Sequence, residues 1–350
     1  MIVIDVPTVH KALPLGIHLL QQDGVHRMSR NGPVIACPHP VTTVYNDPRQ
    51  KCVMWVERDT NIAFLLYESL WMLSGKRTVE PLTRYVKNFA RYSDDKKYLH
   101  GAYGYRWREA FGVDQLSIIQ KRLIADPEDR RCVLQMWDCQ QDLDSQSLDV
   151  PCNDIATFQI DHEGKLNLVV FCRSNDVIWG AYFANAFHFG MLLEYMAAHI
   201  RCEVGTYTQV SVNFHAYLDT LGPLLTLGEM CPFNEETFTN QVESKLRLEY
   251  GESLCGKALE IPTPEELLDE HISEILMHAD TGFILPRVYT NEHPWVEAIY
   301  AVLKAHHIWR MDKTPLGVTK AIGVLDFADS EVDWVILMKR WLRNRRKNEI

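Results

Sequence analysis

The hydrophobic positions of this chain follow helical spacing in some segments and strand spacing in others. Residues 63–73 are almost wholly apolar and stop just before Gly75, which predicts a buried helix that ends there. Short β-branched and aromatic runs predict strands at residues 132–137, 156–160, 166–172 and 202–217. The segment from Asp161 to Gly164 predicts a hairpin turn between two of them. Residues 33–48 indicate further strands and loops.

Further amphipathic or apolar segments predict helices at residues 8–24, interrupted near Pro14, and at 112–125, 188–201, 264–277, 294–307 and 330–346. This mixture of strands and helices indicates an α/β (α+β) fold. The character changes beyond about residue 225, where helical patterns alternate with acidic loops. We therefore expect a domain over residues 1–229 and a mostly helical region over 230–350, which either packs on the first domain or folds alone.

Composition and charge narrow the function. The 350 residues carry a net charge of −10, which argues against nucleic-acid binding through a general basic surface, and the basic run at 339–347 is interpreted as a solvated helix end. Nine scattered cysteines without a C-x-x-C pair, and the absence of an H-E-x-x-H motif, argue against a disulfide framework or a metal site. These features, with no apolar run of membrane-spanning length and no signal peptide recognised, predict a cytoplasmic protein.

One cysteine has unusual neighbours. Cys152 follows Pro151, which fixes the backbone just before the sulfur, and Arg173-Ser174 belongs to the next predicted strand. A guanidinium near the thiol would favour the thiolate form and could bind a phosphate dianion through two parallel hydrogen bonds, as a bidentate ligand. The alternative is an inert cysteine in a hydrophobic core, which is the more common situation for a lone buried thiol.

Two more features point to a site. Glu68 lies within the apolar helix, where a carboxylate costs several kcal/mol unless it is neutralised or hydrogen-bonded. His215 and Tyr217 would share one face of a strand. An active site is a common reason to keep such groups, although a glutamate satisfied by backbone groups and a structural histidine remain alternatives.

Six segments together resemble the thymidylate synthase and deoxycytidylate hydroxymethylase family. They are Tyr67-Glu68-Ser69-Leu70-Trp71, Gly101-Ala102-Tyr103-Gly104-Tyr105-Arg106-Trp107, Glu128-Asp129-Arg130-Arg131, Pro151-Cys152-Asn153 with Arg173-Ser174-Asn175-Asp176, and His215-Ala216-Tyr217. The resemblance covers about residues 60 to 220. It implies a large mixed β-sheet flanked by helices, a pyrimidine nucleoside monophosphate substrate and the folate co-substrate 5,10-methylenetetrahydrofolate.

The resemblance also implies a role for each matching residue. Cys152 would attack C6 of the pyrimidine, Glu68 would organise proton transfer at O4, and Tyr103 would lie near the nucleophile. Arg173 and Ser174 would bind the phosphate, with a further arginine that could be Arg27 or Arg30, of which Arg30 is favoured. The remaining roles are phosphate binding across a homodimer interface by Arg130 and Arg131, binding of the sugar hydroxyl by His215 and Tyr217, and a contact to the pterin by Asp176.

The chain departs from the family pattern around the base. Asn153 stands where the family has histidine, which alters the hydrogen bonds there. The base-reading position falls on Ala184 by ungapped counting, and one inserted residue within 179–183 would place Asn185 there instead. An asparagine amide can pair with uracil or, turned over, with cytosine. The sequence therefore leaves dUMP, dCMP and a ribonucleotide open.

The fate of the transferred carbon rests on a second departure. The family's thymidylate synthases carry two tryptophans in the stretch equivalent to Tyr85–Phe89, and this chain has neither. Losing that shield would admit water, so hydroxymethylation is favoured over reductive methylation to dTMP. A catalytically silent nucleotide- or RNA-binding paralogue is the alternative of another class. The last 120 residues match the family poorly, and its short closing tail is not recognisable.

Overall fold

The structure is a computed structural model, and it describes residues 2–229, 257–284 and 293–347. These residues form two compact units. The sheet unit comprises Met1–Arg58, Phe111–Ser145 and Val150–Leu254, and the helical unit comprises Asp59–Ala110, Gln146–Asp149 and Cys255–Ile350. The predicted boundary near residue 229 adjoins residues that are not described, and it stays a prediction.

Ten strands lie in the described residues of the sheet unit. They are β1 (Ile2–Val6), β2 (Val25–Ser29), β3 (Gly32–Ala36), β4 (Val41–Tyr45), β5 (Val133–Gln135), β6 (Asn153–Ile160), β7 (Lys165–Cys172), β8 (Asn175–Asp176), β9 (Glu203–Ser211) and β10 (Phe214–Tyr217). A six-stranded sheet has the order β1-β4-β9-β7-β6-β5, and a four-stranded sheet has the order β2-β3-β10-β8. The larger sheet contains parallel pairs (β1 with β4, β7 with β9) and antiparallel pairs (β4 with β9, β6 with β7, β5 with β6), which confirms the predicted mixed sheet.

Twelve α-helices are present in the described ranges. They are α1 (Val9–Asp23), α2 (Ile62–Leu73), α3 (Tyr103–Arg108), α4 (Gln115–Ala125), α5 (Cys139–Asp142), α6 (Asn185–Ile200), α7 (Leu218–Leu221), α8 (Leu225–Glu229), α9 (Leu268–Asp280), α10 (Pro294–Met311), α11 (Pro315–Val324) and α12 (Asp333–Lys347). None of the helices described is long and apolar enough to cross a membrane.

The core of the sheet unit lies between the larger sheet and its helices. Alternate residues of β7 and β9, such as Val170 and Tyr207, are buried, and α6 packs on these two strands. Between β6 and β7 the carboxylate of Asp161 accepts the backbone N–H groups of Glu163 and Lys165, and Gly164 adopts a positive φ. The predicted hairpin turn is therefore confirmed.

Helix α1 continues through Pro14, so the predicted interruption is wrong. Pro14 has no N–H to donate to the carbonyl of His10 one turn earlier. The indole N–H of Trp55 donates to that carbonyl instead, at 2.8 Å, and the Trp55 ring stacks on His10 with centroids 4.6 Å apart. Because a distant side chain replaces the lost hydrogen bond, the proline is accommodated in a buried helix.

The helical unit is built on α2, whose residues are nearly all buried. Gly75 follows it with φ +70, which confirms the predicted end of the helix. Helix α11 was not predicted from the hydrophobic pattern, although Thr314 caps it and Pro315 begins it. The basic run in α12 is only partly solvated: Arg345 pairs with Asp59 at 2.6 Å, and Arg340 is buried.

Candidate active site

Cys152 lies in the turn that enters β6, and Arg173 holds that turn. Nε of Arg173 donates to the carbonyl of Pro151 at 2.8 Å, and a terminal nitrogen donates to the carbonyl of Val150 at 3.2 Å. The backbone N–H of Arg173 also donates to the carbonyl of Cys152 at 2.9 Å. The guanidinium therefore fixes the backbone immediately before a half-buried thiol, in the neighbourhood that the sequence predicted for it.

A second thiol lies close to this turn. Cys172 is opposite Asn153 in the pairing of β6 with β7, and it is fully buried. Burial, with the neighbouring Cys152 sulfur, raises the pKa of Cys172 well above its ordinary value. Cys172 is thus held as a neutral thiol, whereas Cys152 is the partly exposed one of the two.

Buried polar side chains form a continuous chain beside Cys152. Nδ2 of Asn153 donates to Oδ1 of Asn185 at 3.2 Å, and Nδ2 of Asn185 donates to Oδ1 of Asn175 at 3.0 Å. Nδ2 of Asn175 in turn donates to Oγ of Ser211 at 2.9 Å. We call these four side chains the amide chain. Asn185 is its half-buried member, and the other three are buried.

The placement of Asn185 follows from an unusual helical turn. Residues Val177–Ala184 form a π-helix that leads directly into α6, with Tyr182 at φ −108 and ψ 30. A π-helical turn holds one residue more than an α-helical turn and absorbs an insertion. The asparagine at 185 therefore bonds to the residue that follows Cys152. Whether position 184 or 185 reads a base stays a prediction.

Asp176, His215 and Tyr217 are neighbours in the four-stranded sheet. His215 is opposite Asp176 in the parallel pairing of β8 and β10, and burial raises the pKa of Asp176 although His215 opposes that shift. The rings of His215 and Tyr217 meet edge to face at 5.5 Å, so they share one face as predicted. Nδ1 of His215 donates to the carbonyl of Asn213 at 3.2 Å, and this hydrogen bond does not involve the other ring nitrogen, Nε2.

The other predicted arginines of the sheet unit lie in exposed turns. Arg30 is in the turn between β2 and β3, and Arg130 and Arg131 precede β5. Arg131 forms a bidentate pair with the buried Asp129: Nε donates to Oδ1 at 3.0 Å and a terminal nitrogen donates to Oδ2 at 3.1 Å. Ser174 is half-buried, and its carbonyl accepts the thiol of Cys172. The predicted phosphate-binding roles of these residues stay predictions.

The helical unit contains a pair of carboxyl groups. Burial and the proximity of Asp149 raise the pKa of Glu68 to about 8, so Glu68 is mostly protonated at neutral pH. Burial also raises the pKa of Asp149, while the backbone N–H of Gly101, which Oδ2 accepts at 2.8 Å, lowers it. Tyr103 begins α3 two residues after Gly101, and its ring faces Trp107 at 6.5 Å. This unit therefore holds a neutral acid that can give up a proton near pH 8.

Three residues of interest received no role from the sequence. Asp149 lies in the segment that carries Cys152, and a carboxylate three residues before the candidate nucleophile was the signal that could have found it. Asn175 occupies the unassigned position of the Arg-Ser-x-Asp motif. Gly180 is required where Asn175 meets Asn185, because a Cβ there would lie 2.7 Å from Oδ1 of Asn175 and 3.3 Å from Nδ2 of Asn185.

Comparisons with known proteins agree with the motifs. The family model for thymidylate synthase matches residues 18–250. Deoxyuridylate hydroxymethyltransferase of Pseudomonas phage M6 is 40% identical over 347 residues, covering 99% of this chain and 95% of that protein. Deoxyuridylate hydroxymethyltransferase of Bacillus phage SP01 is 34% identical over 198 residues, covering 53% of this chain and 51% of that protein.

The fold has a counterpart among solved structures. The crystal structure of thymidylate synthase from T4 phage superimposes with a TM-score of 0.53 at 20% identity, covering 64% of this chain and 82% of that one. The predicted fold class is thereby confirmed. With the family match over residues 18–250 and the nearly full-length relative, the predicted family is confirmed as well: the chain belongs to the thymidylate synthase family.

Proposed function

We propose that this protein is a folate-dependent transferase that converts dUMP to 5-hydroxymethyl-dUMP. The observation that carries the proposal is the similarity over nearly the whole chain to a deoxyuridylate hydroxymethyltransferase. The same name on a second relative supports dUMP over dCMP and over a ribonucleotide. Family membership makes the chain a one-carbon transferase acting at C5 of a pyrimidine nucleotide.

The reaction begins and ends at Cys152. Its thiolate adds to C6 of the uracil, and C5 then forms a bond to the methylene carbon of 5,10-methylenetetrahydrofolate. Loss of the C5 proton and cleavage of the carbon–nitrogen bond release tetrahydrofolate and leave an exocyclic methylene. Water adds to that methylene, and the sulfur leaves C6. The sum is dUMP, methylenetetrahydrofolate and water giving 5-hydroxymethyl-dUMP and tetrahydrofolate.

The other site residues serve binding and proton transfer. Arg173 and Arg30 neutralise the phosphate, Ser174 hydrogen-bonds to it, His215 and Tyr217 bind the sugar hydroxyl, and Asp176 contacts the pterin. Asn185 and Asn153 face the base. Glu68 acts at O4, and Tyr103 is a further catalytic residue. A protonated Glu68 suits this role because a neutral acid can stabilise charge that develops on O4.

The packing of residues 85–89 supports water as the final nucleophile. The Tyr85 ring lies between those of Tyr67 and His306, at centroid distances of 4.7 and 4.8 Å. Phe89 packs on Phe64 at 5.6 Å. Both aromatic rings of this segment are therefore engaged by side chains of their own unit. Neither is a tryptophan that could shield the methylene intermediate from water.

We also propose a homodimer in which Arg130 and Arg131 reach the partner's phosphate site. The face of the larger sheet opposite the core exposes Val133 and Phe171, and it contains an open recess of about 460 Å³. The recess is lined by Gln135, Trp137, Asp154, Ile155, Phe171 and Arg173. Exposed apolar side chains on the open face of a sheet are typical of a surface that a second copy covers.

Subunit complementation tests the shared site. Cys152→Ala and the double variant Arg130→Ala/Arg131→Ala should each be inactive alone. Random mixing would assemble one intact site in every four, so activity should recover to about a quarter of the unmixed wild-type value. Failure to recover activity in a mixture shown to exchange subunits would contradict the shared site without touching the reaction.

Product analysis tests the reaction itself. The enzyme is incubated with dUMP, dCMP or CMP and methylenetetrahydrofolate, and the products are identified by mass spectrometry. The proposal expects 5-hydroxymethyl-dUMP and an equal amount of tetrahydrofolate. Stoichiometric dTMP and dihydrofolate would instead establish thymidylate synthesis, and no release of tritium from C5 of any of the three nucleotides would establish a silent paralogue.

A further inference from the structure

The amide chain fixes which way the Asn185 amide points. Asn185 is bonded on both sides: its oxygen accepts from Asn153 and its nitrogen donates to Asn175. An amide oxygen can accept two hydrogen bonds and an amide nitrogen can donate two. One acceptor site on Oδ1 and one N–H on Nδ2 of Asn185 are therefore not used within the amide chain. These two groups match the N3–H donor and the O4 acceptor of uracil.

Cytosine requires the opposite arrangement. Its N3 accepts and its exocyclic amine donates, so the Asn185 amide would have to turn over. Turned alone, it would place its NH2 group against that of Asn153 and its oxygen against that of Asn175. Both contacts would be repulsive in a buried setting, and two hydrogen bonds would be lost.

The anchor of this arrangement is Asn175, which is fully buried. Its nitrogen donates to Oγ of Ser211 at 2.9 Å, and its oxygen accepts from Nδ2 of Asn185 at 3.0 Å. Gly180 keeps the space at this bond open, since a Cβ there would lie 2.7 Å from the accepting oxygen. Asn175 is not one of the reacting groups, and neither are Ser211 and Gly180. Both of these neighbours lie at the Asn175 amide.

We propose that Asn175, supported by Ser211, is a positioning residue that holds the Asn185 amide in the orientation that selects uracil over cytosine. This inference rests on the proposed function, because it assumes that Asn185 faces the base. It adds that selectivity depends on a residue that does not contact the substrate. The effect should therefore appear in the ratio of the two substrates more than in the rate with either one.

The test compares kcat/KM for dUMP and dCMP, measured as tritium release from C5 in the presence of methylenetetrahydrofolate. Asn175→Ala should lower the dUMP-to-dCMP ratio at least about tenfold, because the Asn185 amide can then turn. Asn175→Asp keeps an oxygen towards Asn185 and can accept from the Ser211 hydroxyl, so it should hold the ratio within about threefold. Ser211→Ala should lower the ratio less than Asn175→Ala does.

Asn167→Ala is the matched control. Asn167 lies on β7, and both ends of its amide are also hydrogen-bonded, to Asp161 and Thr206, but it is outside the amide chain. It should lower stability and leave the ratio unchanged. If Asn175→Ala does not fold, as judged by thermal unfolding, Ser211→Ala carries the test.

Two results would overturn the inference. One is an unchanged ratio in a folded Asn175→Ala variant, or in Ser211→Ala where that variant carries the test. The other is an equal fall of the ratio in Asn167→Ala. Failure of the proposed function would look different, because it would appear in the wild-type protein itself, as tritium release from neither nucleotide, a preference for dCMP, or dTMP as the product.

Discussion

The sheet unit and the helical unit hold their polar side chains in contrasting ways. In the sheet unit, Asn153, Asn185 and Asn175 are joined by hydrogen bonds of 3.0–3.2 Å, and Arg173 is bound to two backbone carbonyls. In the helical unit, Glu68 is governed by its removal from water, which raises its pKa to about 8. Groups that recognise a substrate gain from fixed direction, whereas a group that exchanges a proton gains from a pKa near the working pH.

The largest effect should come from the nucleophile of the sheet unit. Cys152→Ala should lower turnover by about 10⁴-fold or more, because the variant lacks the thiol that forms the bond to C6. Tritium release from C5 of dUMP measures this directly. Cys139→Ala, an exposed cysteine of the same unit, is the control and should retain activity. Substantial exchange by Cys152→Ala would exclude covalent catalysis by this residue.

In the helical unit, the matching change is Glu68→Gln. Loss of the exchangeable proton should lower kcat by about 10²- to 10⁴-fold. The wild-type rate should also fall as the pH rises through about 8, where Glu68 loses its proton, and the variant should lack that limb. Glu274→Gln, which alters another buried glutamate of the same unit, should keep the wild-type pH profile. An identical alkaline limb in Glu68→Gln would assign it to a different group.

The raised pKa of Glu68 also has a consequence for stability. A carboxyl group whose pKa is higher in the folded state stabilises the fold below its ordinary pKa of 4.5 and loses that contribution as the pH rises through about 8. Over that window the free energy of unfolding should fall by up to about 1.4 kcal/mol per pH unit from this group. Urea unfolding at several pH values should show that the free energy of unfolding of Glu68→Gln falls less steeply with pH than that of the wild-type protein.

A smaller effect should follow from Arg173→Lys. Lysine keeps the charge but cannot bond to the carbonyls of Pro151 and Val150 as a rigid fork, so kcat/KM for dUMP should fall by about 10- to 100-fold. Arg122→Lys tests a similarly half-buried arginine of the same unit, ion-paired with Asp129, and should change kcat/KM little. Equal behaviour of the two variants would mean that the guanidinium geometry is unimportant at Cys152.

Asp149→Asn should shift the pH at which kcat falls on the alkaline side more than it changes the maximal kcat. Removing the neighbouring negative charge lowers the pKa of Glu68, so the alkaline limb should move to lower pH. A profile of kcat against pH measures the movement. Asp94→Asn is the control: it contacts Ser147 and Leu148 in the same segment and should not move the limb. A limb that moves to higher pH would contradict the coupling of the two carboxyl groups.

The smallest effect on activity is expected from Trp55→Phe. The carbonyl of His10 loses its donor opposite Pro14, and the free energy of unfolding should fall by about 1–3 kcal/mol. Chemical denaturation measures the loss, and kcat for dUMP should be nearly unchanged. Because the change lies in the sheet unit but outside the amide chain, a large loss of base selectivity would show that selectivity follows general stability.

Much of the molecule could be predicted from residues that act locally. The apolar run of α2 and its end at Gly75, and the turn at Asp161 to Gly164, are specified by neighbours in the sequence. The continuation of helix α1 through Pro14 could not be predicted in this way. The donor that makes Pro14 tolerable is contributed by Trp55, 45 residues after His10. Local pattern cannot foresee a hydrogen bond across such a distance.

The candidate site shows the same division. Cys152 and Arg173 were identified because their motif can be read in the sequence, and the structure brings the guanidinium to the backbone beside the thiol. Asn175 occupied a motif position without an assigned role, and its contacts to Asn185 and Ser211 depend on the π-helix and on strand register. The roles proposed for the site residues, the folate and the dimer stay predictions until the variants are measured.

The central claim is that water, and not hydride, completes the reaction that Cys152 begins. The most direct measurement is mass spectrometry of the product formed from dUMP and methylenetetrahydrofolate in water enriched in heavy oxygen. The account predicts a hydroxymethyl product that carries one heavy oxygen, together with tetrahydrofolate. A methyl product without heavy oxygen, formed with dihydrofolate, would contradict it.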